Sequence, residues 1–136
     1  MPSPVAEDYL KTIYSVRRER GTSRVRTSEL AEELEVTQPT VTSMVSRLAD
    51  RDLLDHEKYR GVRLTEKGER CALRVRRNYR VLETYLTDEL GCDSVDAGAE
   101  ADRLEHHVSD EFARCLEGVL AVNDPSVRTC EVDESP

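Results

Sequence analysis

The chain has 136 residues, of which 38% are hydrophobic and 35% charged, with a formal net charge of −8. That length holds one modest core or two small ones and excludes the large α/β enzyme scaffolds. No apolar run approaches the roughly 18 residues of a membrane span, and Glu7 and Asp8 stand where a secretory signal would be basic and then greasy, so a soluble, cytoplasmic protein is expected.

The charge is unevenly distributed. Residues 1–70 carry thirteen basic and thirteen acidic side chains and residues 71–136 carry seven and fifteen, so the whole acidic excess lies in the second half. A neutral half beside an acidic one can still present a local basic surface to nucleic acid. Among the basic residues only Lys11, Lys58 and Lys67 are lysine, a bias that would suit a high-salt cytoplasm. Cys71, Cys92, Cys115 and Cys130 are too widely spaced for a zinc knuckle or a redox motif, and are expected to be reduced and mostly buried.

In chain order, Val5, Tyr9, Ile13 and Val16 recur at helical steps and predict an amphipathic helix from about Pro4 to Arg20, stopped by Gly21. Thr27 is expected to cap a short helix through Leu34, with Glu35–Val36 as a tight turn and Thr37 capping a second helix to about Arg51. This is a helix-turn-helix pattern. Val41, Met44, Val45 and Leu48 form the inward stripe of its second helix, which leaves Gln38, Thr40, Ser43 and Arg47 facing out, with Pro39 in the first turn. Leu53–Lys58 and Gly61–Leu64 then read as a hairpin around Tyr59–Arg60–Gly61, the wing of a winged helix, with a basic tip. Thr65 is expected to cap a long helix from Glu66 to Leu90, ended by Gly91 and followed by helices at about Val95–His107 and Asp110–Leu120. The last stretch, 123–136, is acidic, lacks periodicity and is expected to be flexible.

Two constellations carry chemistry. A recognition helix needs short donors and acceptors near its N-terminus and a cation further along, and Thr37, Gln38, Thr40, Ser43 and Arg47 supply them, while Pro39 can pack on a thymine methyl. Lys58, Arg60 and Arg63 cluster on the wing, where arginine suits phosphates or the minor groove. In the second half, Asp102, Glu105 and His106 stand in an i, i+3, i+4 relation, a metal-ligand spacing that also occurs on ordinary solvated helix faces. Asp8 on the first helix could complete a four-ligand set. Three carboxylates and an imidazole suit Mn(II) and Fe(II), with selectivity between them left to geometry and cellular supply.

These blocks together resemble the diphtheria-toxin-repressor family of metal-dependent transcription regulators, in its short manganese-transport-regulator branch. The resemblance runs from about Val5 to Leu120 and rests on Glu7-Asp8-Tyr9 with Thr12-Ile13-Tyr14, on Leu34 through Pro39-Thr40-Val41 with Val45, on Tyr59-Arg60-Gly61 through Leu64-Thr65 and Gly68, and on Glu105-His106-His107 with Ser109-Asp110. It implies a mainly α protein: a winged helix-turn-helix domain over 1–70, an all-helical dimerisation and metal-binding domain over 71–122, and no SH3-like third domain. It further implies a homodimer that binds a palindromic DNA operator when Asp8, Asp102, Glu105 and His106 hold the ion. Lys11 and Tyr79 stand where the branch has ligands for a second ion, and Tyr79 and Gly98 where the iron branch has the histidines of an ancillary site. One ion per chain is therefore expected. Two alternatives remain open: a winged-helix regulator that is metal-independent or senses thiol oxidation, and a small metal-dependent hydrolase. The chain supplies no Gly-rich phosphate loop and no nucleophile with a partnered base, so no enzyme is expected.

Overall fold

A computed structural model describes residues 2–123, with side chains through Leu120. Two compact units divide at Arg74/Val75. Of the tail expected over 123–136, Asn123 closes the last helix, and residues 124–136, Cys130 among them, lie outside the described residues.

The first unit opens with α1 (Pro4–Arg20), whose N-terminus is capped by the Ser3 hydroxyl accepting from the Ala6 N–H at 3.2 Å. Gly21, at φ 66°, ends it by donating its N–H to the Arg17 carbonyl. Tyr9, Ile13 and Val16 face the core as expected, but Val5 is 56% exposed and Ala6 and Leu10 are buried instead. The inward stripe is thus one residue out of phase at its start. Helices α2 (Thr27–Leu34) and α3 (Gln38–Asp50) follow, joined by Glu35 in the left-handed region at φ 56°. The α2 cap lies one residue earlier than expected: the Arg26 carbonyl accepts from the N–H groups of Glu29 and Leu30, and the Glu29 carboxylate accepts from the Arg26 N–H at 2.9 Å. Thr27 is left free to accept a hydrogen bond from Gln38 Nε2 at 2.8 Å.

Strands β1 (Leu54–Glu57) and β2 (Gly61–Leu64) pair antiparallel, from Leu54 opposite Leu64 to Glu57 opposite Gly61. Val25 adds an isolated bridge to Val62, with both backbone bonds at 2.8–2.9 Å. That close pairing explains Gly61, since a Cβ there would lie 2.3 Å from the Val25 carbonyl oxygen and φ is +98°. Leu10, Ile13, Val25, Leu30, Val41, Val45, Leu48, Leu53 and Val62 fill the core of this unit at 0–1% exposure. Met44, expected inside, is only partly buried.

Thr65 caps α4 (Glu66–Thr84) through the Gly68 N–H, as expected. The predicted continuation to Leu90 is a π-helical segment over Tyr85–Glu89 instead, closed by Leu90 N–H on the Tyr85 carbonyl. The Thr87 hydroxyl donates to the Glu83 carbonyl, competing for the acceptor that an unbroken α-helix would use. Helices α5 (Ser94–Leu104) and α6 (Asp110–Asn123) complete the second unit, whose core gathers Val81, Leu82, Ala101, Val108, Ala113, Leu116 and Leu120. Cys71 is buried, but Cys92 is half-buried and Cys115 exposed, so burial does not account for the cysteines as a set.

Candidate nucleic-acid interface and metal centre

On the first unit, Thr37, Gln38, Pro39, Thr40, Ser43 and Arg47 are all exposed, because Val41, Val45 and Leu48 turn the opposite face of α3 into the core. Three of these side chains are already ordered. The Thr37 hydroxyl shares a 2.8 Å hydrogen bond with that of Thr40, and Gln38 donates to Thr27, so its amide oxygen is turned outward from that bond. The first turn of α3 thus offers preorganised polar groups and a positive helix end.

The wing is less basic than its sequence. Arg60 is paired with Glu57 at 3.1 Å and Arg63 with Asp55 at 3.7 Å, while the Lys58 ammonium lies 5.2 Å from the Tyr59 ring centroid. Arg24, which sequence reasoning passed over, is the brace of this hairpin: its guanidinium donates to Asp55 at 2.7 Å, to Glu57 at 2.8 Å and to the Gly61 carbonyl at 3.0 Å. Arg17 pairs with Glu69 at 2.8 Å and sits over the Tyr14 ring.

The second unit brings Glu105 and His106 together and leaves Asp102 apart from burial. Glu105 is 1% exposed and its carboxylate lies 3.2 Å from His106 Nε2, whereas Asp102 is exposed. The regular helix expected to run to His107 stops at Leu104, so His106 is carried on a turn. Asn78 causes this: its amide donates to the carbonyls of Glu105 at 3.0 Å and Val108 at 3.4 Å. Arg77 holds the Asn78 oxygen at 3.0 Å and reaches Asp110 at 2.9 Å. A buried polar relay therefore fixes the turn bearing Glu105 and His106, and nothing in the local sequence announces it because the partners lie 27 and 30 residues away. A buried carboxylate beside an imidazole fits a divalent cation of intermediate hardness.

Tyr79 and Gly98 form a different arrangement. The Tyr79 hydroxyl lies 3.4 Å from the Glu83 carboxylate, and a Cβ at Gly98 would come within 3.3 Å of that hydroxyl. Burial, then the negative charges of Glu83, Asp102 and Glu105, push the Tyr79 phenol up. Asp8 stands half-buried in the first turns of α1.

A winged helix-turn-helix, followed in the chain by a helical unit with a buried carboxylate–imidazole pair, defines a metal-responsive, DNA-binding transcription regulator. The chain belongs to the iron-dependent repressor family: its N-terminal DNA binding domain matches residues 1–62, and its metal binding and dimerisation domain matches residues 65–127. The HTH-type transcriptional regulator MntR of Shouchella clausii is 39% identical over 109 residues, covering 80% of this chain and 74% of that protein, and the MntR of Listeria welshimeri is 39% identical with 80% and 75% covered. A manganese-dependent transcriptional repressor solved with manganese aligns with TM-score 0.75 at 38% identity, over 85% of this chain and 52% of the other. The manganese regulator SloR aligns at 0.72 and 36%, over 85% and 53%. The chain thus spans about half the length of these solved repressors. No helix of the described residues is long and apolar enough to cross a membrane.

Proposed function

We propose that this protein is a Mn(II)-dependent repressor of metal-ion uptake genes, acting in the cytoplasm as a homodimer on a palindromic DNA operator. The buried Glu105–His106 pair carries the reading, because a carboxylate is held out of water there by a dedicated relay from Asn78 and Arg77. Asp8 and Asp102 would supply the remaining protein oxygens, giving a hard, oxygen-rich donor set suited to Mn(II) and next to Fe(II). The names of the MntR relatives and of the manganese repressors support manganese. With Lys11 and Tyr79 at the positions of second-ion ligands, one ion binds per chain. Thr37, Gln38, Pro39, Thr40, Ser43 and Arg47 read the major groove, and Lys58 and Arg60 follow the backbone. The chain reads metal and DNA, and turns over no substrate.

Occupancy of the metal site and operator affinity are linked, so each ligand raises the affinity for the other. A gel shift on the duplex upstream of the protein's own coding region tests this. Binding is expected with Mn(II), is lost with chelator, and loses its metal response in Glu105→Gln and His106→Ala. Equal shifts with Mn(II) and with chelator would leave a metal-independent winged-helix regulator. A shift abolished by thiol oxidation and indifferent to metal would leave a redox sensor.

A further inference from the structure

Tyr59 is 87% exposed, yet it sits where the backbone disfavours it. Arg60 donates its N–H to the Glu57 carbonyl at 3.0 Å, closing a turn in which Tyr59 takes φ +70°. This left-handed position disfavours a bulky residue, whereas glycine would adopt it freely. The ring contacts the Lys58 ammonium and is otherwise turned to solvent, so the fold gains little from it.

The arm that displays the ring is stiff. Arg24 clasps Asp55, Glu57 and the Gly61 carbonyl, and Val25 pairs with Val62. The cations of the hairpin are engaged within it, Arg60 by Glu57 and Arg63 by Asp55. At the foot of the ring an open cleft of about 170 Å³ is lined by Arg26, Thr27, Ser28, His56, Tyr59 and Gly61. Its side chains offer a guanidinium, two hydroxyls, an imidazole and a phenol, and no carboxylate. Such a wall suits a phosphodiester strand, and the protruding ring suits the apolar deoxyribose edges beside it.

We propose that Tyr59 is a DNA-contacting residue: its ring packs on the sugar edges of the minor groove flanking each half-site, while one phosphate enters the cleft at its foot. This rests on the DNA-reading function above and assigns it a contact that depends on apolar fit, where counterion release dominates a cationic wing.

The test compares Tyr59→Gly, Tyr59→Phe and Arg26→Ala on the same upstream duplex with Mn(II), by titration across salt and by hydroxyl-radical footprinting. Tyr59→Gly is expected to melt no lower than wild type, because it relieves the backbone. It should bind about tenfold more weakly, with an unchanged salt slope and lost protection of the sugars outside the major-groove contact. Tyr59→Phe should stay within about twofold of wild type, and Arg26→Ala should lower the salt slope by about one. Wild-type affinity in Tyr59→Gly, or a loss in Tyr59→Phe as large as in Tyr59→Gly, would overturn the assignment while leaving metal-dependent binding intact. Failure of wild type itself to bind the duplex would overturn both.

Discussion

In the first unit one residue is constrained by close backbone approach and another buries a hydroxyl at a cost. The Tyr9 hydroxyl is buried and has no hydrogen-bond partner among the described residues, and burial pushes its pKa above the ordinary 10.0. Tyr9→Phe should therefore raise stability by about 1 kcal/mol in a urea titration at neutral pH. The sign with pH follows from linkage: above pH 10 the unfolded chain loses this proton before the folded one does, so stability falls as pH rises. Tyr9→Phe should lessen that alkaline decline, and the raised Tyr79 should keep part of it. An alkaline decline in the variant as steep as in wild type would contradict this. Gly61→Ala drives a Cβ to 2.3 Å from the Val25 oxygen at positive φ, so a loss of about 3 kcal/mol is expected in the same titration.

Elements were legible in the sequence where periodicity and punctuation agreed. Gly21, Gly61 and Gly91, all at positive φ, mark the end of α1, the return strand of the wing and the end of the π segment. The outward face of α3 follows from Val41, Val45 and Leu48 alone. Misreadings came where side chains compete for backbone groups or for one another. Thr87 and Asn78 redirect carbonyls at the ends of α4 and α5, which a hydrophobic period cannot register. The wing looked cationic because its arginines were counted without their cross-strand partners, although Asp55 stands directly opposite Arg63 once the hairpin is paired. Asn78→Ala frees the Glu105 and Val108 carbonyls, so the turn bearing His106 should loosen. Mn(II) affinity, measured by calorimetry, should fall about 10-fold or more with the proposed ligands untouched. Wild-type affinity would show that the relay does not position them.

At the scale of the whole molecule, most of the exposed large apolar side chains among the described residues belong to the second unit: Leu90, Val95, Leu104, Phe112 and Val119. Phe112, Cys115 and Val119 repeat at helical spacing on α6, and all three are exposed. Apolar side chains left outside a small acidic domain are the material of a self-association surface. Phe112→Asp should shift the protein towards monomer in sedimentation and weaken operator binding with it; an unaltered dimer would move the interface to another face. The family blocks, the winged helix and the carboxylate–imidazole pair were readable from residue order. The exposure of Asp102 and the pairing within the wing depended on contacts distant in sequence.

The proposed coupling of metal to DNA runs through this chain. It is tested most directly by measuring the Mn(II) dissociation constant of the full chain with and without saturating upstream duplex, alongside the duplex affinity with and without Mn(II). The two ratios should agree and exceed about tenfold, and both should collapse to unity in Glu105→Gln. A Mn(II) affinity indifferent to DNA in the wild-type protein would contradict the account.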